Sequence, residues 1–338
     1  MKKLWVKKIL LGVLFLALLI GSVSRLNGIV MQKDVNRCYI MDQEIGKLEE
    51  TPEVEVFGSC HAYSSFDVPY YQEHYGLTAY NMSNPGEFLP ITYVRMAEQF
   101  RKGVPDVALV DTWGLMVYDT YSTIENTLEF YSIVNLESIP QSPEKKEVIN
   151  DFGEFDSLEL NFPLAHYKDR LIERELLPYD FDFTRENVRE WHESHYLYHN
   201  DWLFNEMDDR IGNRGNVSWE AYPQEDYDRL QSHVEAGQTM PIEDNLMKYL
   251  DRIIDLCREN GVELIFYRAP YLSTENELKK ANFLAEYLAE QGIPFYDLEA
   301  ELDFDPMTDF FDEHHLAVPG MAKATDFLGA RIQEALQK

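Results

Sequence analysis

Cysteine is scarce in this chain: Cys38, Cys60 and Cys257 are the whole complement among 338 residues. Three scattered thiols exclude a disulfide framework and a cysteine-built zinc site. Cys257 falls in a helical pattern and reads as a small core residue, whereas Cys60 stands in a motif considered below. Basic residues are also few, 30 against 60 acidic ones, for a net charge of −30. Such a field repels nucleic acid and anionic surfaces, so no nucleic-acid partner is expected. What is abundant is apolar and aromatic: 45% hydrophobic residues, with 21 Tyr and 19 Phe. That composition excludes general disorder and provides a sizeable core without staples.

The first residues carry Lys2, Lys3, Lys7 and Lys8, followed by an apolar or small run from Ile9 to Ser24 that Arg25 ends. The stretch is long enough to cross a bilayer. The lysines before it predict a cytoplasmic N-terminus and an exported remainder. Ser22-Val23-Ser24 has the spacing of a signal-peptidase site, but the run exceeds a usual signal core, so an uncleaved single-pass anchor is expected over 1–25. Removing those residues takes away five basic and no acidic side chains, leaving about −35 on the exported part.

Residues 26–52 read as a polar stalk. Beyond it, strand signals alternate with helical ones. Val54–Phe57 is broken by Gly58, Leu77–Tyr80 ends in the Asn81–Gly86 turn, and a helix is predicted from about Ile91 to Arg101. Asp106–Val110 is a nearly continuous apolar run, as expected of a parallel strand covered on both faces. From about 113 to 240 the rhythm is lost in an acidic, aromatic, turn-rich tract, read as an inserted cap. It resumes with a helix Glu243–Asn260, a strand Val262–Tyr267, a helix about Thr274–Gln291, a short strand Pro294–Asp297 and a closing helix about Pro319–Leu336. The predicted fold is α/β, a three-layer sandwich around a mostly parallel sheet spanning 53–338, with its ligand site at the carboxyl ends of the strands.

Two motifs could carry chemistry. Gly58-Ser59-Cys60-His61 leaves the first strand where a strand-to-helix turn would lift a nucleophile above the sheet edge, near a helix N-terminus that favours thiolate. The same residues would also serve as a simple turn and cap. At the other end, Asp312-Glu313-His314-His315-Leu316 places an Asp three residues before a His. An Asp there can orient one imidazole nitrogen while the other faces a nucleophile. Ligands around His314 and His315 are too few for a metal, and no metal or cofactor is expected. In the insertion, Trp191, His195, Tyr198 and Trp202 belong to a dense aromatic run suited to stacking on sugar rings, or to packing a cap. His192, His195 and His199 have helix-compatible zinc spacing in a tract that is not clearly helical.

Taken together, the two motifs and their order resemble the SGNH (GDSL-like) hydrolase superfamily. The similarity is nearest to its membrane-anchored extracytoplasmic branch, which includes alginate O-acetylation proteins and the D-alanyl transfer protein of teichoic acid esterification. The resemblance spans about 53–138 and 241–336, and its most specific piece is Phe310–Leu316 followed by Gly320. It implies Cys60 in the nucleophile position in place of the usual serine, His315 as base and Asp312 as its orienter, with His314 a bystander. Ser59, Ser83 and Gly86 are then the oxyanion candidates, and Asp111-Thr112-Trp113 stands where the family has Gly-x-Asn. His61 and Trp113 join the insertion aromatics as substrate-contact candidates.

The function so implied is a cell-surface acyltransferase or esterase acting on O-acyl groups of an envelope polysaccharide, with a membrane-embedded acyltransferase as a further partner. The rival is a catalytically inactive protein of the same fold that holds a glycan or assembles with a membrane partner.

Overall fold

The structure is a computed structural model and describes residues 2–30, 41, 45, 48, 50–117, 135–152, 234–235, 237–305, 308–310 and 314–337. Among the described residues, short apolar runs bounded by glycine and proline form five strands: β1 (Val54–Phe57), β2 (Ala79–Asn81), β3 (Val107–Asp111), β4 (Glu263–Arg268) and β5 (Phe295–Asp297). They pair in parallel throughout, in the order β2-β1-β3-β4-β5, with Val56 opposite Leu109 and Leu109 opposite Ile265. Each of β2, β3 and β4 ends one residue later than the sequence pattern places it, so Asp111 is a strand residue rather than a loop residue.

Helices cover both faces. The strand alternation sends Phe57, Ala108, Val110, Leu264 and Phe266 toward α4 (Leu89–Lys102), α7 (Asp244–Asn260) and α8 (Glu275–Glu290). Val54, Val56, Val107, Leu109, Ile265 and Tyr267 face the other way, onto α3 (Val68–Tyr75) and α10 (Val318–Leu336). Two separate apolar cores therefore sandwich the sheet, which is why β1 and β3 read as nearly unbroken apolar runs. Helix ends are set locally: Thr274 and Glu277 form a reciprocal capping box at α8, Gly261 closes α7 in a left-handed conformation, and Asp297 caps the short α9 (Leu298–Glu301) that follows β5.

The stretch read as a stalk is partly core, because Met41 and Ile45 are buried in the cluster beneath α4. Isolated apolar residues in a polar stretch give no periodicity by which to place them. The insertion opens with α5 (Trp113–Met116), and α6 (Pro143–Asp151) follows after a gap. Leu136, Ile139, Val148 and Phe152 extend the same core. Buried Lys145 turns its ammonium onto the carbonyls of Leu136 and Ile139. This part of the insertion thus adds to the helical layer rather than capping the strand ends. Residues 153–233, with Trp191, His195, Tyr198 and Trp202, lie outside the described residues.

At the N-terminus α1 runs from Lys2 to Val30. Its segment Trp5–Leu26 has a mean hydropathy of 2.3 and no buried part. It is long and apolar enough to cross a membrane.

Candidate active site

The strand order reverses direction between β1 and β3, and in a doubly wound sheet a ligand site is expected outside the carboxyl ends of the strands at that point. The chain builds a polar cluster there. Gly58 leaves β1 at φ 130°, and a Cβ on it would stand 2.8 Å from the Cβ of Asp111, so glycine alone lets the two strand ends close up. Ser59 then caps the short helix α2 (Cys60–Tyr63) by accepting the His61 amide at 3.2 Å.

The Ser59 hydroxyl proton goes to Asp111 Oδ2 at 2.8 Å. Asp111 also receives the Ser59 amide at 3.4 Å and the Trp113 amide at 3.2 Å, and a backbone hydrogen bond from Ala269. One buried carboxylate thereby ties together the loops after β1, β3 and β4. Burial raises its pKa to about 6 in spite of those donors, which favour the charged form.

Above this clasp, Cys60 is half-buried, with Sγ 3.7 Å from Nδ1 of His61. The His61 ring is enclosed. It stacks on Trp113 at 4.5 Å, meets the edge of Tyr271 at 5.2 Å, and lies 5.2 Å from the ring of His315 and 5.9 Å from that of His314. Burial first, then the charges of His315, His314 and Arg268, lower its pKa well below the ordinary histidine value, so at neutral pH it is uncharged.

His315 arrives from the far end of the chain on a loop with its own anchors. Phe310 and Leu316 form an antiparallel bridge, and the Ala317 amide donates to the Asp309 carbonyl at 2.7 Å. The buried Asp309 carboxylate receives the Lys323 ammonium and the Asp305 amide, both at 2.6 Å. Gly320 lets α10 start against this loop, for a Cβ there would lie 2.3 Å from the Asp309 carbonyl oxygen. The outcome is a convergence in which Cys60, His61 and His315 each offer one sulfur or nitrogen atom, all within 4.8 Å of one another. That arrangement can exchange a proton between thiol and imidazole, and it can bind a soft cation.

Of the residues singled out in the sequence, Cys60, His61, Trp113 and His315 are brought together, and Ser59 lies beneath them. Asp312 lies outside the described residues. Two oxyanion candidates have other work: the Ser59 amide and hydroxyl face Asp111, and the Ser83 amide donates to Asn81 Oδ1 at 3.1 Å. Gly86 sits left-handed at φ 59° in the same turn as Ser83, and the Asn84 amide joins that turn to the Gly58 carbonyl at 3.0 Å. His61 and Trp113 are buried against each other, so they form the floor of the site and offer no open face to a sugar ring. Sequence reasoning noted Asp111 only as part of Asp111-Thr112-Trp113 without its bridging role, and it missed Tyr271. A carboxylate closing an otherwise apolar buried strand was the available signal for Asp111, and Tyr271 gave none.

A protein-family model matches residues 227–337, which hold β4, β5 and the His315 loop but less than half of the chain. No curated protein matches.

Proposed function

We propose that the chain is a thiol-based acyltransferase or esterase of the SGNH type, working at the cell surface on O-acyl groups of an envelope polysaccharide. The observation that carries this reading is the meeting of Cys60 Sγ with the His315 imidazole at the carboxyl edge of a parallel sheet, from motifs at opposite ends of the chain. In the mechanism, His315 takes the Cys60 proton and the thiolate attacks the acyl carbonyl. The tetrahedral intermediate collapses, the leaving alcohol takes the proton back from His315, and the acyl group remains on sulfur. A sugar hydroxyl or water, deprotonated by the same imidazole, then attacks the thioester, and the Cys60 sulfur leaves and recovers its proton from His315. Asp312 orients His315 in this scheme.

With the Ser59 and Ser83 amides engaged, the oxyanion falls to the Cys60 amide, which as first residue of α2 has no intrahelical acceptor. The apolar helix α1 supports a tether that holds the site near an immobile substrate and a membrane-embedded acyl donor, with the acidic domain outside the cytoplasm. The insertion aromatics Trp191, His195, Tyr198 and Trp202 would supply the glycan-facing wall.

The test is hydrolysis of an acetyl ester, together with the pH dependence of iodoacetamide alkylation of Cys60. Native protein is compared with Cys60→Ala and His315→Ala. Turnover is expected to fall by about 10³-fold or more in each variant, with slower alkylation below pH 8 when His315 is absent. Turnover that survives Cys60→Ala would overturn the reading.

A further inference from the structure

We propose that Cys60, His61 and His315 form a binding site for a borderline-soft divalent cation, Zn²⁺ by the chemistry of the donors. This inference stands on the geometry and does not rest on the acyl-transfer reading. One thiolate and two imidazoles are a zinc donor set, and three protein ligands leave a fourth position for water. Around tetrahedral zinc, sulfur and nitrogen ligands sit about 3.6 Å apart and two nitrogens about 3.4 Å apart. Cys60 Sγ and His61 Nδ1 are already 3.7 Å apart, and all three ligand atoms lie within 4.8 Å of one another, so a side-chain adjustment of about an ångström closes the set.

The surroundings hold the donor atoms in place. The only proton of the Ser59 hydroxyl is held by Asp111, so Ser59 does not compete with a cation for the Nδ1 lone pair of His61. The ring plane is fixed by Trp113 and Tyr271, and His315 is held by the Asp309 anchors. His61 and Cys60 are neighbours in sequence while His315 comes from the last tenth of the chain, so a bound cation would also link β1 to the loop before α10. Because it occupies the thiolate and the imidazole of His315, Zn²⁺ shields Cys60 from electrophiles.

Full-length chain in detergent is stripped with a chelator and titrated with Zn²⁺ against a chromophoric competitor, with Mg²⁺ as the control. Iodoacetamide labelling of Cys60 is followed in parallel. One Zn²⁺ per chain is expected, with Cys60 labelling suppressed by Zn²⁺ and not by Mg²⁺. Cys60→Ser and His315→Asn, both at half-buried positions, should each weaken binding at least about tenfold. Co²⁺ in the native chain should give a thiolate charge-transfer band that Cys60→Ser removes. Absence of retained Zn²⁺, retention undiminished in both variants, or labelling unaffected by Zn²⁺ would each overturn the site. Ester turnover of the metal-free chain is recorded separately, so failure of acyl transfer and failure of the cation site remain distinguishable.

Discussion

Two buried carboxylates on neighbouring strands, Glu55 and Asp111, make stability depend on pH in the same direction. Glu55 of β1 is fully buried, with Gln99 donating to it at 2.9 Å, and burial raises its pKa to about 8. Below about pH 4.5 the side chain is protonated in both folded and unfolded chains and is neutral in effect. As pH rises from there toward 8, the unfolded carboxyl ionises while the folded one keeps its proton, so stability falls across that window and levels off above it. Glu55→Gln should therefore stabilise the protein at pH 7 by up to about 3 kcal/mol, with little difference near pH 4.5. Urea unfolding at both pH values checks this, and an equal gap at the two would sink it. Asp111 obeys the same sign over a narrower window, up to about pH 6. At neutral pH its charge is matched by donors from three loops, so Asp111→Asn puts an amide N–H against one of them and should cost about 1–3 kcal/mol. That loss should appear in urea unfolding at pH 7 together with weaker dependence of Cys60 alkylation on His315. An unchanged midpoint would show that the clasp is dispensable. Cys60 and His315 were legible in the sequence because each sits in a short motif next to a predictable element. The hub beneath them was not, since the partners of Asp111 come from strands that only tertiary structure unites.

At the scale of elements, strands and long helices were readable wherever apolar periodicity met a glycine or proline stop. Val54–Phe57 and Glu243–Asn260 are examples, each matching its observed element to within a residue. The His315 loop was readable as a motif but not as a structure, because it is held by contacts to its own carbonyls and by a close helix approach. Gly320 is where that approach can be tested. An alanine Cβ would meet the backbone oxygen of Asp309 at 2.3 Å, and backbone cannot yield as a flexible side chain would. Gly320→Ala should cost about 1–3 kcal/mol by overpacking. It should also shift the loop enough to reduce the effect of His315 on Cys60 alkylation. Thermal unfolding and alkylation rates measure the two effects. Loss of stability with intact thiol behaviour would mean that the helix start and the loop are uncoupled.

At the scale of the whole molecule, 30 acidic charges in excess act against the favourable surface pairs. Among the described residues, four such pairs meet where α4, α6 and α7 come together: Arg101 with Glu144, Lys248 with Glu147 and Asp151, and Arg252 with Glu147. Exposed pairs of this kind contribute about 0.2–1 kcal/mol each and are weakened by salt. Self-repulsion among the excess carboxylates is also weakened by salt, and it acts over many more partners, since the screening length shrinks from about 30 Å at 0.01 M to about 8 Å at 0.15 M. The two effects have opposite signs on stability, and the charge imbalance decides between them. Raising NaCl from 10 to 150 mM at pH 7 should therefore increase the Tm by about 2–4 °C, the shift that ~1 kcal/mol produces in a domain of 150–250 residues. A Tm that falls with salt would place the balance with the α4–α6–α7 pairs. In that case Lys248→Ala, which breaks two of the four, should remove about half of the salt response.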